Sequence, residues 1–291
     1  MTYIESVHHP HDVWIEHFSE IEDRWHKGKE LAISSLPELD NKIWGLRKKK
    51  LVVVGARPSM GKSTFMLQIA WDFVLQGKKV YFFTLEMTKE ECLERLFCID
   101  QRVDNFILHT GKITEMQHLP DIQRKIEDFN KNINTDKLIF IESYGKTFRE
   151  INEVVDGIGD AEVVILDYIQ MIKEKTTSKE AIDEYIKDLR NYAIRKNFCA
   201  IIGSQINRGT FDGKKITFPE LHELKGSGCL EEVCDLAFLL HWHYFYTRED
   251  AIKKDYWVRV AKNRGGRTGV FNCLFEPEFY QIKEKPCQNG M

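Results

Sequence analysis

Residues 51–65 read LVVVGARPSMGKSTF, and no other stretch restricts the fold as much. An all-apolar strand runs into a tight loop of small residues, and the loop opens directly into a helical pattern. The spacing is unusual. Five residues separate Gly55 from Gly61, where the phosphate-loop pattern has four, so the leading small residue is Ala56 and Gly55 ends the strand. Two readings of the pattern stay open. It is either a chance strand-to-helix turn or a loop of Ala56, Arg57, Pro58, Ser59, Met60, Gly61, Lys62, Ser63 and Thr64 that cradles phosphate with backbone N–H groups and a helix dipole. In the second reading Lys62 reaches the β- and γ-phosphates and Ser63 holds Mg²⁺.

The remainder of the chain repeats this alternation. A helix is expected from about Lys62 to Gln76, then the strand KVYFFTLE, helical stretches at about 88–99 and 113–131, and the strand KLIFIES. The helix REINEVVDGIG, the strand EVVILDYIQMI, the helix AIDEYIKDLRNYAIRKN and the strand CAIIGSQ follow, with DLAFLLHW, YWVRVAKN and VFNCLFE as later strands. Apolar strands alternating with helices predict a mostly parallel sheet covered on both faces. A length of 291 residues with 43% hydrophobic content is enough to bury such a core.

Residues before the loop read differently. Val13, Trp14, His17, Phe18, Ile21 and Trp25 recur at spacings of three and four, predicting an amphipathic helix from near Asp12 to Gly28. Its greasy stripe either packs on its own domain or docks on a neighbouring subunit. Residues 29–50 are mixed and end in LRKKK, whose charges read as a solvated turn before the buried strand. The resulting division is residues 1–30 as an amphipathic helix and 31–291 as the α/β domain.

Net charge is −3, so polyanions gain no general attraction and any nucleic-acid contact must come from local basic patches. No apolar run reaches the roughly 20 residues that span a bilayer, and the amino end lacks the form of a signal peptide, which predicts a cytoplasmic protein. Seven scattered cysteines without a C-x-x-C pair read as reduced packing residues.

Nucleotide hydrolysis needs partners for the loop. Asp167 ends the strand VVILD, where a second magnesium ligand would lie, although an acid after a strand is also a common cap. Glu86 ends the strand VYFFTLE and is placed to polarise water, or is merely an exposed strand-end acid. If their strands are neighbours, Glu86, Asp167 and Lys62 converge on one crevice at the carboxyl ends of the sheet. Gln205 ends AIIGSQ and either senses a γ-phosphate or caps a turn. Lys262, Arg264 and Arg267 in VAKNRGGRTG bind phosphate or nucleic acid, or form a solvated basic hairpin.

Taken in order, GARPSMGKSTF, FFTLEM, ILDYIQ, GSQINRG, ELKGSGCLEEVCDLAFLL and VAKNRGGRTG resemble the ATPase domain of DnaB-type replicative DNA helicases, from about Ser34 to Phe275. The resemblance implies a RecA-like P-loop NTPase fold preceded by a linker helix. It implies a homo-oligomer, a hexameric ring around single-stranded DNA, that uses ATP and Mg²⁺ to translocate and unwind duplex. On it Lys62 and Ser63 serve triphosphate and magnesium, Asp167 is the Walker B acid, Glu86 the base and Gln205 the γ-phosphate sensor. Lys262 and Arg264, in the family's K-x-R arrangement, reach the neighbour's ATP, with Arg264 as the finger. Lys225, Gly226 and Gly228 line the central pore, with Arg208 and the loop from Lys173 to Lys179 as weaker DNA contacts.

This chain departs from the family at two places. Family members often have Arg-Glu where Lys225-Gly226 stands. The helical collar that meets primase in the family is also not seen ahead of the linker-like helix, as expected for a naturally short phage or plasmid protein or for a cut chain. Primase or a helicase loader remains the expected protein partner. Two rival readings are a RecA-like DNA-dependent ATPase that does not unwind, and an accessory ATPase that loads a full-length helicase.

Overall fold

The computed structural model describes residues 9–116, 119–133, 136–172, 179–206, 218–224 and 227–285. Its strands are β1 (Leu51–Ala56), β2 (Val80–Thr84), β3 (Leu138–Glu142), β4 (Val163–Asp167), β5 (Cys199–Gln205), β6 (Leu236–Trp242), β7 (Asp255–Asn263), β8 (Gly269–Glu276) and β9 (Gln281–Glu284). They form one sheet in the order β3-β2-β4-β5-β1-β6-β7-β8-β9. From β3 to β6 all pairings are parallel, and β7, β8 and β9 add an antiparallel edge. The expected mostly parallel sheet is therefore present, and β9 extends it beyond the strands read from the sequence.

Side-chain alternation divides the core into two layers. Val52, Val54 and Ala56 of β1 face one layer while Leu51 and Val53 face the other. The first layer is covered by α3 (Lys62–Leu75), α4 (Lys89–Gln101) and α7 (Pro120–Ile133). The second is covered by α8 (Phe148–Gly157), α9 (Lys179–Arg195) and α10 (Ser227–Val233). Helix α3 is buried from Thr64 to Val74, as expected of a helix apolar all round. Thr88 and Thr147 start α4 and α8 with reciprocal capping boxes to Glu91 and Glu150, which satisfy N-terminal donors that would otherwise be orphaned.

After the short α5 (Asn105–His109), the helical stretch expected around 113–131 is divided into α6 (Ile113–Met116) and α7, since proline is welcome only in a helix's first turn. Proline also moves the start of the first helix, α1, to Pro10, ahead of Asp12; it runs to Lys27 and buries none of its residues. Val13, Trp14, Ile15, Phe18, Ile21 and Trp25 are all exposed, Trp25 at 83%. The stripe does not pack on the described residues of its own chain.

Residues 29–50 are more ordered than their mixed composition suggested. Leu31, Ile33, Leu36, Leu39 and Leu46 are buried, with α2 (Pro37–Ile43) among them. Ser34 and Ser35 hydrogen-bond the buried Asp72 carboxylate of α3 at 2.8 and 2.7 Å, and burial raises that carboxyl above its ordinary range. The basic turn is not simply solvated, because Lys48 pairs with Glu162 at 3.0 Å and Lys50 with Asp235 at 3.3 Å. Cys92, Cys98, Cys199, Cys229, Cys234 and Cys273 are free and buried, and Cys287 lies outside the described residues. Burial pushes the Cys92 thiol up to about 12, consistent with packing cysteines.

Candidate active site

The strand order brings the carboxyl ends of β2, β4, β5 and β1 side by side. Ala56 stands level with Gln205, and Thr84 with Asp167. The strands of the phosphate loop and of Glu86 are not neighbours: β4 and β5 lie between them, because the chain crosses over before filling the gap. Convergence survives this change. A cleft of about 460 Å³ is lined by the loop from Ala56 to Ser63 together with Glu86, Arg95, Tyr168 and Gln205.

Glu86 lies past the end of β2 in an exposed position on a turn. That turn is held from two sides: the Thr84 and Tyr144 hydroxyls both donate to the Met87 carbonyl, and Leu85 N–H donates to the Asp167 carbonyl at 3.0 Å. Asp167 is buried, and its carboxylate accepts from the Lys62 ammonium directly above it. The same ammonium lies 4.1 Å from the centre of the Tyr168 ring. Burial, then the Glu86 and Asp167 charges, raise the Tyr168 phenol above its ordinary value.

Glycine is required at two places near this centre. At Gly55 a Cβ would stand 2.5 Å from Leu224 Cδ2 and 2.7 Å from Leu239 Cδ2, so the residue before the loop is glycine for packing and not for phosphate. At Gly203 a Cβ would meet Met66 Sδ at 3.0 Å and Asp167 Oδ1 at 3.1 Å, crowding the acid against its lysine.

The loop's underside rests on the antiparallel edge. Tyr256 of β7 donates its buried hydroxyl to the Met60 carbonyl at 2.7 Å, and Trp242 N–H meets Met60 Sδ at 3.4 Å. Ser59 and Gly61 adopt left-handed backbone, φ 63° and 78°, turning the chain into α3, whose first turn has no side-chain cap. Its N-terminal donors therefore face the cleft with the positive end of the helix dipole. Arg57 is drawn away from them, its guanidinium 3.4 Å from Glu223 Oε1 and 6.0 Å from the Tyr246 ring. Thr64 is buried beneath the loop, and Ser63 is half-buried at the cleft wall.

Besides Tyr256, sequence reasoning missed two residues at the cleft. Gln170 of ILDYIQ donates to Ser204 Oγ at 2.9 Å and accepts from Gln205 N–H at 3.0 Å, so it fixes the end of β5. Arg95 lies one turn after Glu91 on α4 and lines the cleft, with its guanidinium 4.8 Å from the ring of Tyr280, which lines the adjoining pocket. The i, i+4 spacing puts Glu91 and Arg95 on one helix face, but only the packing of α4 shows which way that face turns.

Lys262 and Arg264 do not join this group. In the sheet register Lys262 pairs with Ala237 and Asn263 with Leu236, and Leu236 stands beside Val52 near the start of β1. The loop leaves β1 after Ala56, about 13 Å further along at roughly 3.3 Å per residue. The pair thus sits at the opposite edge of the sheet, where Lys262 Nζ donates to the Glu231 carbonyl at 2.5 Å and Arg264 Nη2 to the Glu232 carbonyl at 2.5 Å, at the end of α10. Gly228 is exposed on the first turn of α10. Lys225, Gly226, Arg208 and the loop at 173–178 lie outside the described residues.

Among the described residues no cluster of three or more His, Cys, Asp or Glu could hold a metal. One carboxylate, Asp167, and one hydroxyl, Ser63, nevertheless fit magnesium, which keeps several waters and takes the rest of its oxygens from phosphate.

Comparison with known proteins gives a consistent picture. The family model for the DnaB-like helicase C-terminal domain matches residues 33–284. The replicative DNA helicase DnaC of Bacillus subtilis (strain 168) is 26% identical over 277 residues, covering 92% of this chain and 60% of that protein. The replicative DNA helicase DnaB of Geobacillus stearothermophilus is 25% identical over 277 residues, with the same coverage of 92% and 60%. The chain thus spans about 60% of the length of these relatives. In fold, it matches a solved ATPase domain with a TM-score of 0.84 at 22% identity, covering 96% of this chain and 100% of that one. A DnaB-like replicative helicase, described with its interactions with primase, matches with a TM-score of 0.80 at 23% identity, covering 96% and 67%.

Proposed function

Because the chain belongs to the family of DnaB-like helicase C-terminal domains, we propose that it is the motor of an ATP-dependent replicative DNA helicase, hydrolysing Mg-ATP between subunits of a hexameric ring to move on single-stranded DNA and part the duplex. The observation that carries this reading is the separation of the two cationic sets. Lys62 and the K-x-R pair occupy opposite edges of one sheet, so one chain cannot bring both to one phosphate. Two chains, placed head to tail, can.

Within that reading the loop donors, Lys62 and Ser63 bind the triphosphate. Magnesium, held by Ser63 and Asp167, would neutralise phosphate charge. Lys62 exchanges the Asp167 carboxylate for phosphate oxygens, a move its flexible stem and compact charge permit. Glu86, exposed at the cleft wall, orients and deprotonates the attacking water. Gln205, fixed by Gln170, hydrogen-bonds the γ-phosphate or the water. Arg95 over Tyr280 offers a planar cationic and aromatic surface on which a nucleobase can stack. Arg264 of the adjacent subunit supplies the charge that offsets the transition state.

Residues 1–30 serve as a linker whose exposed Trp14, Phe18 and Trp25 dock on the neighbouring subunit, and residues 31–291 form the motor. Lys225, Gly226, Gly228 and Arg208 track the DNA backbone. Primase or a helicase loader is the protein partner class. No described helix is long and apolar enough to cross a membrane. The cytoplasm of a bacterial cell is the proposed location.

The test is DNA-stimulated ATP hydrolysis and unwinding of a tailed fork, with Lys62→Ala as the inactive control. Unwinding that depends on Lys62 is the expected result; an assembled, ATP-hydrolysing protein that leaves the fork intact would move the assignment to a non-unwinding ATPase.

A further inference from the structure

The turn between α10 and β6 holds both ends of the sheet's N-terminal edge. Asp235 precedes β6 and is buried, 5% exposed. Its backbone N–H donates to the Leu51 carbonyl at 2.8 Å, and its Oδ2 accepts from Leu51 N–H at 3.1 Å. Both bonds grip the first residue of β1, the strand that delivers the phosphate loop. Its own carbonyl accepts from Arg264 N–H at 2.8 Å. Immediately before it, the Glu231 and Glu232 carbonyls hold Lys262 Nζ at 2.5 and 3.2 Å, and the Glu232 carbonyl holds Arg264 Nη2 at 2.5 Å.

Charge reinforces the grip. Asp235 Oδ1 faces Lys50 Nζ at 3.3 Å and Arg190 Nη2 at 3.6 Å. Arg47 and Arg264 line the same cavity, of about 280 Å³, in which Asp235 is the only acid among the described residues. A single buried carboxylate thus balances the cations around it while its backbone carries Arg264. Without that charge the cations repel one another and the side-chain half of the grip on Leu51 weakens, leaving the backbone bonds to hold the turn.

We propose that Asp235 is a positioning residue for Lys262 and Arg264: by tying Leu51 to the backbone of Arg264 it sets where the pair stands relative to β1, and so how far it projects toward a neighbouring chain. This rests on the trans reading of Arg264 given above. In a ring, Asp235 then links the rigid strand of a subunit's own phosphate loop to the group that the subunit lends to the next site.

Mixed assemblies separate this role from a role in the subunit's own site. Arg264→Ala chains keep an intact loop, and Lys62→Ala chains keep an intact finger, so mixing them restores ATP hydrolysis if the finger acts in trans. Replacing the second partner by the double variant Lys62→Ala/Asp235→Asn leaves it only its finger to contribute. Restored activity is expected to fall at least about tenfold, since misplacing a reacting group by about 1 Å can cost about 10²-fold. Co-assembly is verified by native mass spectrometry. In the single Asp235→Asn variant, affinity for a fluorescent ATP analogue is expected to stay within about twofold of the parent, while turnover falls.

Equal restoration by the two partners overturns the positioning role, and so does a loss of nucleotide affinity as large as the loss of turnover. Failure of the plain Lys62→Ala partner to restore anything overturns the trans reading instead. Should Asp235→Asn not fold, Arg190→Gln removes one of the cations that hold the carboxylate and repeats the mixing test. It is expected to give a smaller loss of the same kind, and no loss there overturns the proposal.

Discussion

The two edges of the sheet carry their charges in opposite ways. At the loop edge a half-buried lysine and a buried acid are paired with each other: the Lys62 side chain is 11% exposed and that of Asp167 4%. At the other edge Arg264 is exposed, and it and Lys262 are held by backbone carbonyls at the end of α10. A helix C-terminus attracts cations weakly and releases them readily. The loop edge holds its charge as a closed pair, and the far edge presents charge outward; on the proposed reading an anion would replace the acid at the first and a neighbouring chain would use the second.

Arg264→Ala is the sharpest way to break this contrast. In the assembled protein turnover should fall about 10³-fold or more, while ATP affinity and melting temperature stay near the parent's; Lys62→Ala should lose binding as well. Equal losses of ATP affinity in the two variants, measured by titration with a fluorescent analogue, would erase the distinction.

The loop edge should also be the edge where substitutions cost stability. Gly55→Ala puts a methyl 2.5 Å from Leu224 Cδ2, and overpacking of this kind costs about 1–3 kcal/mol in urea unfolding.

His241, buried on β6 near Arg57, gives the next effect. Burial, then the His243 and Arg57 charges, lowers its pKa from 6.5 to about 4. Above pH 6.5 both folded and unfolded chains hold it neutral. As pH falls below that value the unfolded chain takes up a proton that the folded chain refuses until about 4, so stability is complete above pH 6.5 and is lost on the way down. At pH 5 the loss should approach about 2 kcal/mol, and His241→Phe should flatten that slope in denaturation midpoints measured between pH 7.5 and 5. An unchanged slope would mean that His241 is not what makes this edge acid-sensitive.

Smallest is Tyr256→Phe, which removes the donor to the Met60 carbonyl and should cost about 1 kcal/mol, with a rise in the apparent KM for ATP as the loop loosens. A pure stability loss with unaltered KM would show that the loop does not depend on its antiparallel support.

Much of this architecture was legible in the sequence because period and punctuation are local. The unbroken apolar run LVVVGA and the Gly-Lys-Ser at the helix start follow from local composition and turn chemistry alone, and Thr88 and Thr147 precede their glutamates by three residues in plain view. The boundaries that moved, at Pro10 and Pro120, moved because proline suits a helix's first turn. Strand order was not legible. The chain says that β2 follows β1, yet β4 and β5 enter between them, a choice made by which crossover buries the two layers best. Arg95, Gln170 and Tyr256 were missed for the same reason, since their partners stand far away in sequence.

By itself the sequence determined the strand-loop-helix of 51–65 with its alanine start, the acids and amide at the ends of three apolar strands, and the K-x-R pair, because these are fixed by residue type and short spacing. Only the tertiary structure decided which of them meet. It brought Glu86, Asp167, Gln205 and Lys62 to one edge and set Lys262 and Arg264 on the other, because β7 runs antiparallel to β6 and carries its last residues back to where β1 begins.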